Sequence, residues 1–200
     1  TMEDFGIEAS TDEAGTKHIA YDEKAYTGET LHKTYLDVDV NFNGCADGGR
    51  YIQYLCENDW SQFVRTTHWG SGMSIYEGAN SNNSLWITAA PSDEFFNLKL
   101  AVDMVANESD NTKLDISMQV WINNELQGTL AFTGSAGISE KFYISASEAG
   151  PITLRTPVIQ ETVEPDEPVD PNLPEALKDY ARVTMEDFGI EASTDEAGTK

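Results

Sequence analysis

The chain has 200 residues, 40% of them apolar, and carries 35 acidic against 12 basic residues for a formal charge of −23. That length and apolar share support one sizeable core without disulfides or metals. The charge repels phosphates and anionic headgroups, which excludes nucleic acid and acidic membrane surfaces as partners.

No apolar run approaches the ~18 residues of a membrane span, so no membrane insertion is expected. The balance suits an extracellular or cell-surface protein, or one tolerant of high salt. No signal-peptide pattern opens the chain, which starts and stops inside a repeated pattern and reads as a segment of a longer protein.

The first element is that repeat. Residues 1–17, TMEDFGIEASTDEAGTK, recur letter for letter as residues 184–200. An offset of 183 residues is too long for a solenoid period and right for a whole domain plus a linker. Each copy carries five acids and one Lys, so the two copies account for eight of the 23 negative charges. Phe5 and Ile7 suit the apolar face of an early strand, residues 8–17 a polar loop, and residues 18–21 a second short strand.

From Thr34 to Val158 apolar and polar residues alternate. Leu36, Val38, Val40 and Phe42 oppose Asp37, Asp39, Asn41 and Asn43. Phe96, Leu98, Leu100, Val102 and Met104 oppose Asn97, Lys99 and Asp103, and Ile116, Met118, Val120 and Ile122 oppose Asp115, Ser117 and Gln119. Leu126, Leu130 and Phe132, then Phe142 with Ile144, and Ile152 with Leu154, continue the pattern. Period two predicts half-buried antiparallel strands, about a dozen of them. Turn signals separate them, among them Asp47-Gly48-Gly49, Gly70-Ser71-Gly72, Pro91-Ser92-Asp93 and Asn123-Asn124. The predicted fold is all-β, a two-sheet antiparallel sandwich.

Cys45 and Cys56 are separated by the strand-like run 50–55, which carries the chain roughly 20 Å. A disulfide needs Cα atoms within ~7 Å, so two buried thiols are expected rather than a bridge.

After Val158 the composition shifts. Residues 160–174 are acidic, with Pro165, Pro168, Pro171 and Pro174 every third residue, a spacing that favours a stiff polyproline II spacer. Pro174 suits the first turn of a short helix over 175–182, with Glu175 near its start and Arg182 near its end as the helix dipole prefers. The organisation expected is a β-sandwich module over 1–158, an acidic linker with a short helix over 159–183, and the start of a second copy over 184–200.

The pieces LDVDVNFNG, GGRYIQYL, DWSQFV, FFNLKLAVDMV and LDISMQVWINNELQGTLAF resemble, in that order, the laminin G-like, concanavalin A-like jelly-roll sandwiches of bacterial surface proteins. The resemblance covers about 120 residues. It implies a module that binds glycans or proteins, in some cases with calcium, on a fold that several enzymes also use.

Catalysis is the less favoured class. Glycosidases of this fold carry two glutamates in Glu-x-Asp-x-x-Glu along one strand, and no such run exists here. Asp37 and Asp39 share a strand face with Asn41 and Asn43, which predicts a solvated sheet face. His18, His32 and His68 have neither a nucleophile elbow nor zinc spacing around them. Asp39-x-Asn41-x-Asn43-Gly44-x-x-Asp47 resembles the start of an EF-hand loop, but its twelfth position is Arg50 where a bidentate Glu is required. Calcium held by scattered loop oxygens stays open.

Aromatic platforms carry the leading expectation. Sugar rings stack on exposed aromatic side chains flanked by a few polar groups. Trp121, between Val120 and Ile122, and Trp86, between Leu85 and Ile87, have the parity opposite to the core, and Tyr76 shares parity with Ser74. The loop GANSNNS supplies Asn80 and Asn82 for hydroxyls. The predicted ligand-binding set is Trp121, Trp86, Tyr76, Asn80 and Asn82, in a non-catalytic carbohydrate-binding module. The alternative is an adhesive repeat that extends a surface stalk and contacts a surface protein or neighbouring repeat modules. Two copies of the repeated segment compete for one place in the fold. The C-terminal copy dangles, folds back, or pairs with another chain; a docked tail is expected.

Overall fold

The computed structural model describes residues 17–19, 22–26, 33–44, 50–55, 63–68, 72–77, 80–87, 91, 93–135, 141–146, 152–157 and 170–188. Cys45, Cys56, the N-terminal copy of the repeat up to residue 16 and the proline-rich stretch before residue 170 lie outside these.

The alternating runs become strands. In chain order they are β1 (Lys17–Ile19), β2 (Asp22–Tyr26), β3 (Lys33–Asn41), β4 (Arg50–Leu55), β5 (Phe63–His68), β6 (Met73–Glu77), β7 (Asn80–Ile87), β8 (Phe96–Ala106), β9 (Lys113–Ile122), β10 (Glu125–Ser135), β11 (Lys141–Ala146), β12 (Ile152–Arg155) and β13 (Ala181–Val183). One sheet runs β1-β12-β3-β8-β9-β10 and the other β2-β11-β4-β5-β6-β7. Every neighbouring pair on these paths is antiparallel. The architecture is the predicted all-β sandwich.

The core lies between the sheets. Leu36, Val38, Val40 and Phe42 from β3 and the residue after it meet Leu98, Leu100 and Val102 of β8, Met118 and Val120 of β9, Ile52 of β4, Ile75 of β6 and Phe142 of β11, all fully buried. Turn chemistry fixes the register of the central hairpin. Ile122 pairs with Glu125 across two asparagines, Asn123 at φ 50° and Asn124 at φ 66°. Two positive φ values in a two-residue loop make the type I′ turn that matches strand twist, and Asn tolerates them.

The sheets meet along the β7 and β10 edges. Asn83 Nδ2 donates to the Ala131 carbonyl at 3.0 Å. Leu85 leans on Gly128, where a Cβ would come within 2.5 Å of Leu85 Cδ2. Gly128 follows the bulge in β10, so the strand bends where the other sheet presses closest.

The C-terminal segment departs from the sequence expectation. The helix over 175–182 is a single 3-10 turn, Glu175–Leu177, followed by β13, which pairs in parallel with Thr34, Tyr35 and Leu36 of β3. A helix of eight residues is marginal in water. Pairing with β3 puts Val183 into the main core and carries Arg182 to Asp37, contacts that a solvated helix would forgo. The described start of the C-terminal copy, residues 184–188, is no strand either. Met185–Phe188 forms a second 3-10 turn, with Thr184 N donating to Asp187 Oδ2 at 2.7 Å as in a capping box. It lies against β2, and Met185 and Phe188 are buried in the main core.

Candidate functional site

The two sheets expose different outer faces. On the β6–β7 hairpin, Met73 pairs with Ile87 and Ile75 with Leu85, facing the core side, while Ser74 pairs with Trp86 and Tyr76 with Ser84 on the opposite parity. Trp86 is 49% exposed, one of three large exposed hydrophobic residues among those described, with Val105 and Leu126. Its indole is seated rather than free. A Cβ on Gly72 would stand 3.0 Å from Trp86 Cζ2 and 2.5 Å from the Ile87 carbonyl, so only glycine lets the ring lie this close to the backbone. Ser84 is exposed and Ser74 half-buried beside it.

The ladder also locates the other expected contacts. Tyr76 is two positions along β6 from the partner of Trp86; beyond the Tyr76–Ser84 pair the ladder shifts register, so Asn82 falls in the irregular stretch of β7 and Asn80 opens that strand opposite Glu77. Backbone register therefore brings Trp86, Tyr76, Asn80 and Asn82 to one hairpin. The side chains of the last three lie outside the described residues.

Trp121 stands elsewhere. Its parity places it on the outer face of the other sheet, as expected, but it is only 8% exposed. It packs with Tyr35, Ala101 and Leu177, and Leu173 and Tyr180 press on the same cluster. The expected open platform at Trp121 is covered by residues 173–180, which arrive from beyond the proline-rich stretch. Trp86 and Trp121 face away from each other across the sandwich and share no groove.

The expected solvated face of β3 is likewise covered, and its polar groups form a closed network. The Asp37 carboxylate accepts from Asn97 Nδ2 at 2.9 Å and Arg182 Nε at 2.6 Å, with Lys99 Nζ at 3.3 Å. Lys99 Nζ also donates to Asn97 Oδ1 at 2.6 Å and to Asn124 Oδ1 at 2.8 Å, so one asparagine of the I′ turn shapes the loop and caps a buried ammonium. Asp39 takes Arg155 Nε at 2.9 Å and Asn97 Nδ2 at 3.2 Å. Asp37 and Lys99 are each about 2% exposed. Each faces an oppositely charged group and further hydrogen bonds, which offset the cost of burial. Beside them burial, and then the Asp37 charge, push the Tyr35 phenol up to about 12. Burial and a hydrogen bond to Asp103 raise Tyr180.

This network also uses up the acidic candidates. Asp37 and Asp39 are tied to cations and amides, which leaves no free carboxylate pair on β3. In the EF-hand-like spacing, Asn41 Oδ1 accepts from Asn43 N at 2.8 Å and Asn43 Oδ1 accepts from Thr153 Oγ1 at 3.2 Å. Those oxygens are turned to protein partners, and Asp47 lies outside the described residues. Among the described residues no three His, Cys, Asp or Glu side chains come together as metal ligands.

A shallow cleft of about 370 Å³ opens on the outer face of β8, β9 and β10, lined by Asp103, Val105, Asp115, Ser117, Ala131 and Thr133 together with Ile116 and Phe132. It has no exposed aromatic wall. Asp115 accepts from Asn107 Nδ2 at 2.9 Å and Thr133 Oγ1 at 3.0 Å, so much of its polar capacity is engaged.

No family model and no curated protein matches this chain. Among solved structures it is similar to the receptor-binding domain of a botulinum neurotoxin of mosaic serotype C/D, at 9% identity and a TM-score of 0.49 over 76% of this chain and 40% of that one. It is similar to the binding domain of botulinum neurotoxin DC in complex with SialylT, at 11% identity and TM-score 0.45 over 74% and 39%. The Caenorhabditis elegans galectin LEC-6 matches at 6% identity and TM-score 0.40 over 69% of this chain and 95% of that one. The chain thus spans about 40% of the toxin domains' length.

The seat and the cover leave little mark in the sequence. Gly72 follows a Gly-Ser turn signal and reads as turn chemistry, yet its missing Cβ is what admits the Trp86 ring. Lys99 was visible as a lone cation on the polar face of β8, but only register puts it opposite Asp37.

Proposed function

We propose that this chain is a non-catalytic extracellular binding module whose ligand is carbohydrate and whose contact face is the β6–β7 hairpin. The observation that carries the reading is Trp86, half exposed against Gly72 with serines on either side. An indole held against backbone loses little freedom when a sugar ring stacks on it. Ser74 and Ser84, with the amides of Asn80 and Asn82, offer hydroxyl partners on the same hairpin. Trp121, covered by Leu177, drops out of the contact set.

The second reading is an adhesive repeat in a surface stalk. It is supported by the first five residues of the C-terminal copy, 184–188, which put Met185 and Phe188 into the main core. A glycan array separates the two. The carbohydrate reading predicts hits that Trp86→Ala abolishes. An array without hits, alongside capture of a purified surface protein, supports the adhesive repeat.

A further inference from the structure

Residues 1–5 and 184–188 both read TMEDF, but the described fold holds one slot for them. That slot is filled by the C-terminal copy, and the segment leading into it is anchored on both sides of β3. On the outer face Leu177 is fully buried against Trp121 and Tyr35, Arg182 pairs with Asp37, and Lys33 lies over the Tyr180 ring at 5.3 Å. On the inner side Val183, Met185 and Phe188 enter the main core. β12 pairs with Asp39, Val40 and Asn41 of β3, and β13 takes the remaining length of that edge at Thr34, Tyr35 and Leu36. Thr156, just after β12, donates to Glu186.

We propose that residues 170–188 are the closing segment of this module, so that the structural unit runs from Lys17 to Phe188 rather than from Thr1 to Val158. In any array with this 183-residue period, the N-terminal TMEDF is then the closing segment of the module before. Lys200 corresponds to Lys17, the first residue of β1, so the tether between one module and the next is residues 189–199. Those eleven residues, GIEASTDEAGT, carry three acids and reach roughly 40 Å at full extension. The proline-rich stretch before residue 170 then falls within the bounds of a module instead of between modules. This frame is independent of what the module binds.

The test uses the full chain and exploits the identity of the two copies. Met185→Ala with Phe188→Ala should lower the melting temperature by roughly 10 °C or more, because two buried side chains leave the core. Met2→Ala with Phe5→Ala should leave it within about a degree. The quadruple variant should melt with the C-terminal double. If that double variant does not fold, Phe188→Leu against Phe5→Leu carries the same contrast. An N-terminal pair as damaging as the C-terminal pair, or a quadruple variant clearly less stable than the C-terminal double, would show the N-terminal copy using the slot and overturn the frame.

Discussion

The two outer faces of the sandwich carry the same sequence signal and meet opposite fates. Trp121 and Trp86 each sit between two core residues on a strand and point away from the core. One is 8% exposed beneath Leu177 and the other 49% exposed over Gly72. The difference comes from what lies beyond the strand. The β3–β8–β9 face receives a segment about fifty residues further along the chain, with an apolar patch for its leucine and a carboxylate for its arginine. Among the described residues nothing comparable crosses the β6–β7 hairpin. Parity says which way a side chain points; the rest of the chain decides whether it meets solvent.

If the first face is structural, breaking it should cost stability. The largest effect is expected at Asp37. Asp37→Ala leaves Lys99 and Arg182 without their shared carboxylate in a nearly dry site, and should destabilise by about 4 kcal/mol in urea titrations. Arg182 already has its Nη2 buried without a hydrogen-bond partner among the described residues, so it has no reserve to draw on. Trp121→Ala removes the platform under Leu177 and should cost about 3 kcal/mol. Trp86→Ala should cost no more than about 1 kcal/mol, since half of that side chain is already in water.

A smaller effect should appear with pH. Tyr35 is pushed up to about 12 by burial and then by Asp37, against about 10 when unfolded. A raised phenol contributes stability that is whole below pH 10 and is lost as pH rises from 10 through 12. The loss attributable to Tyr35 should be roughly 2 to 3 kcal/mol across that window, and Tyr35→Phe should flatten that part of the profile. A Tyr35→Phe profile identical to wild type between pH 10 and 12 would detach the phenol from the network.

Much of the fold was legible from alternation, because a one-residue slip would turn every apolar side chain of β3, β8 or β9 outward. The I′ turn was legible in its two asparagines. The acidic face of β3 read as solvated because Asp37, Asp39, Asn41 and Asn43 alternate as a wet strand does. Its burial depends on Arg182 and Leu177, over 130 residues away. The helix over 175–182 failed for a related reason: eight residues are too few to hold a helix in water even with good helix formers, and the free edge of β3 competes for the same residues. At the candidate site the hairpin positions of Tyr76 and Trp86 followed from parity, whereas the seat at Gly72 required the close approach of two strands.

On the proposed reading the two faces divide the work, one holding the module together and the other meeting the ligand. Glycan-array binding of wild type, Trp86→Ala and Trp121→Ala, each with its melting temperature, tests this most directly. Trp86→Ala should lose binding while its melting temperature stays within about 4 °C of wild type, and Trp121→Ala should melt lower yet bind while folded. Binding that survives Trp86→Ala and disappears in folded Trp121→Ala would contradict it.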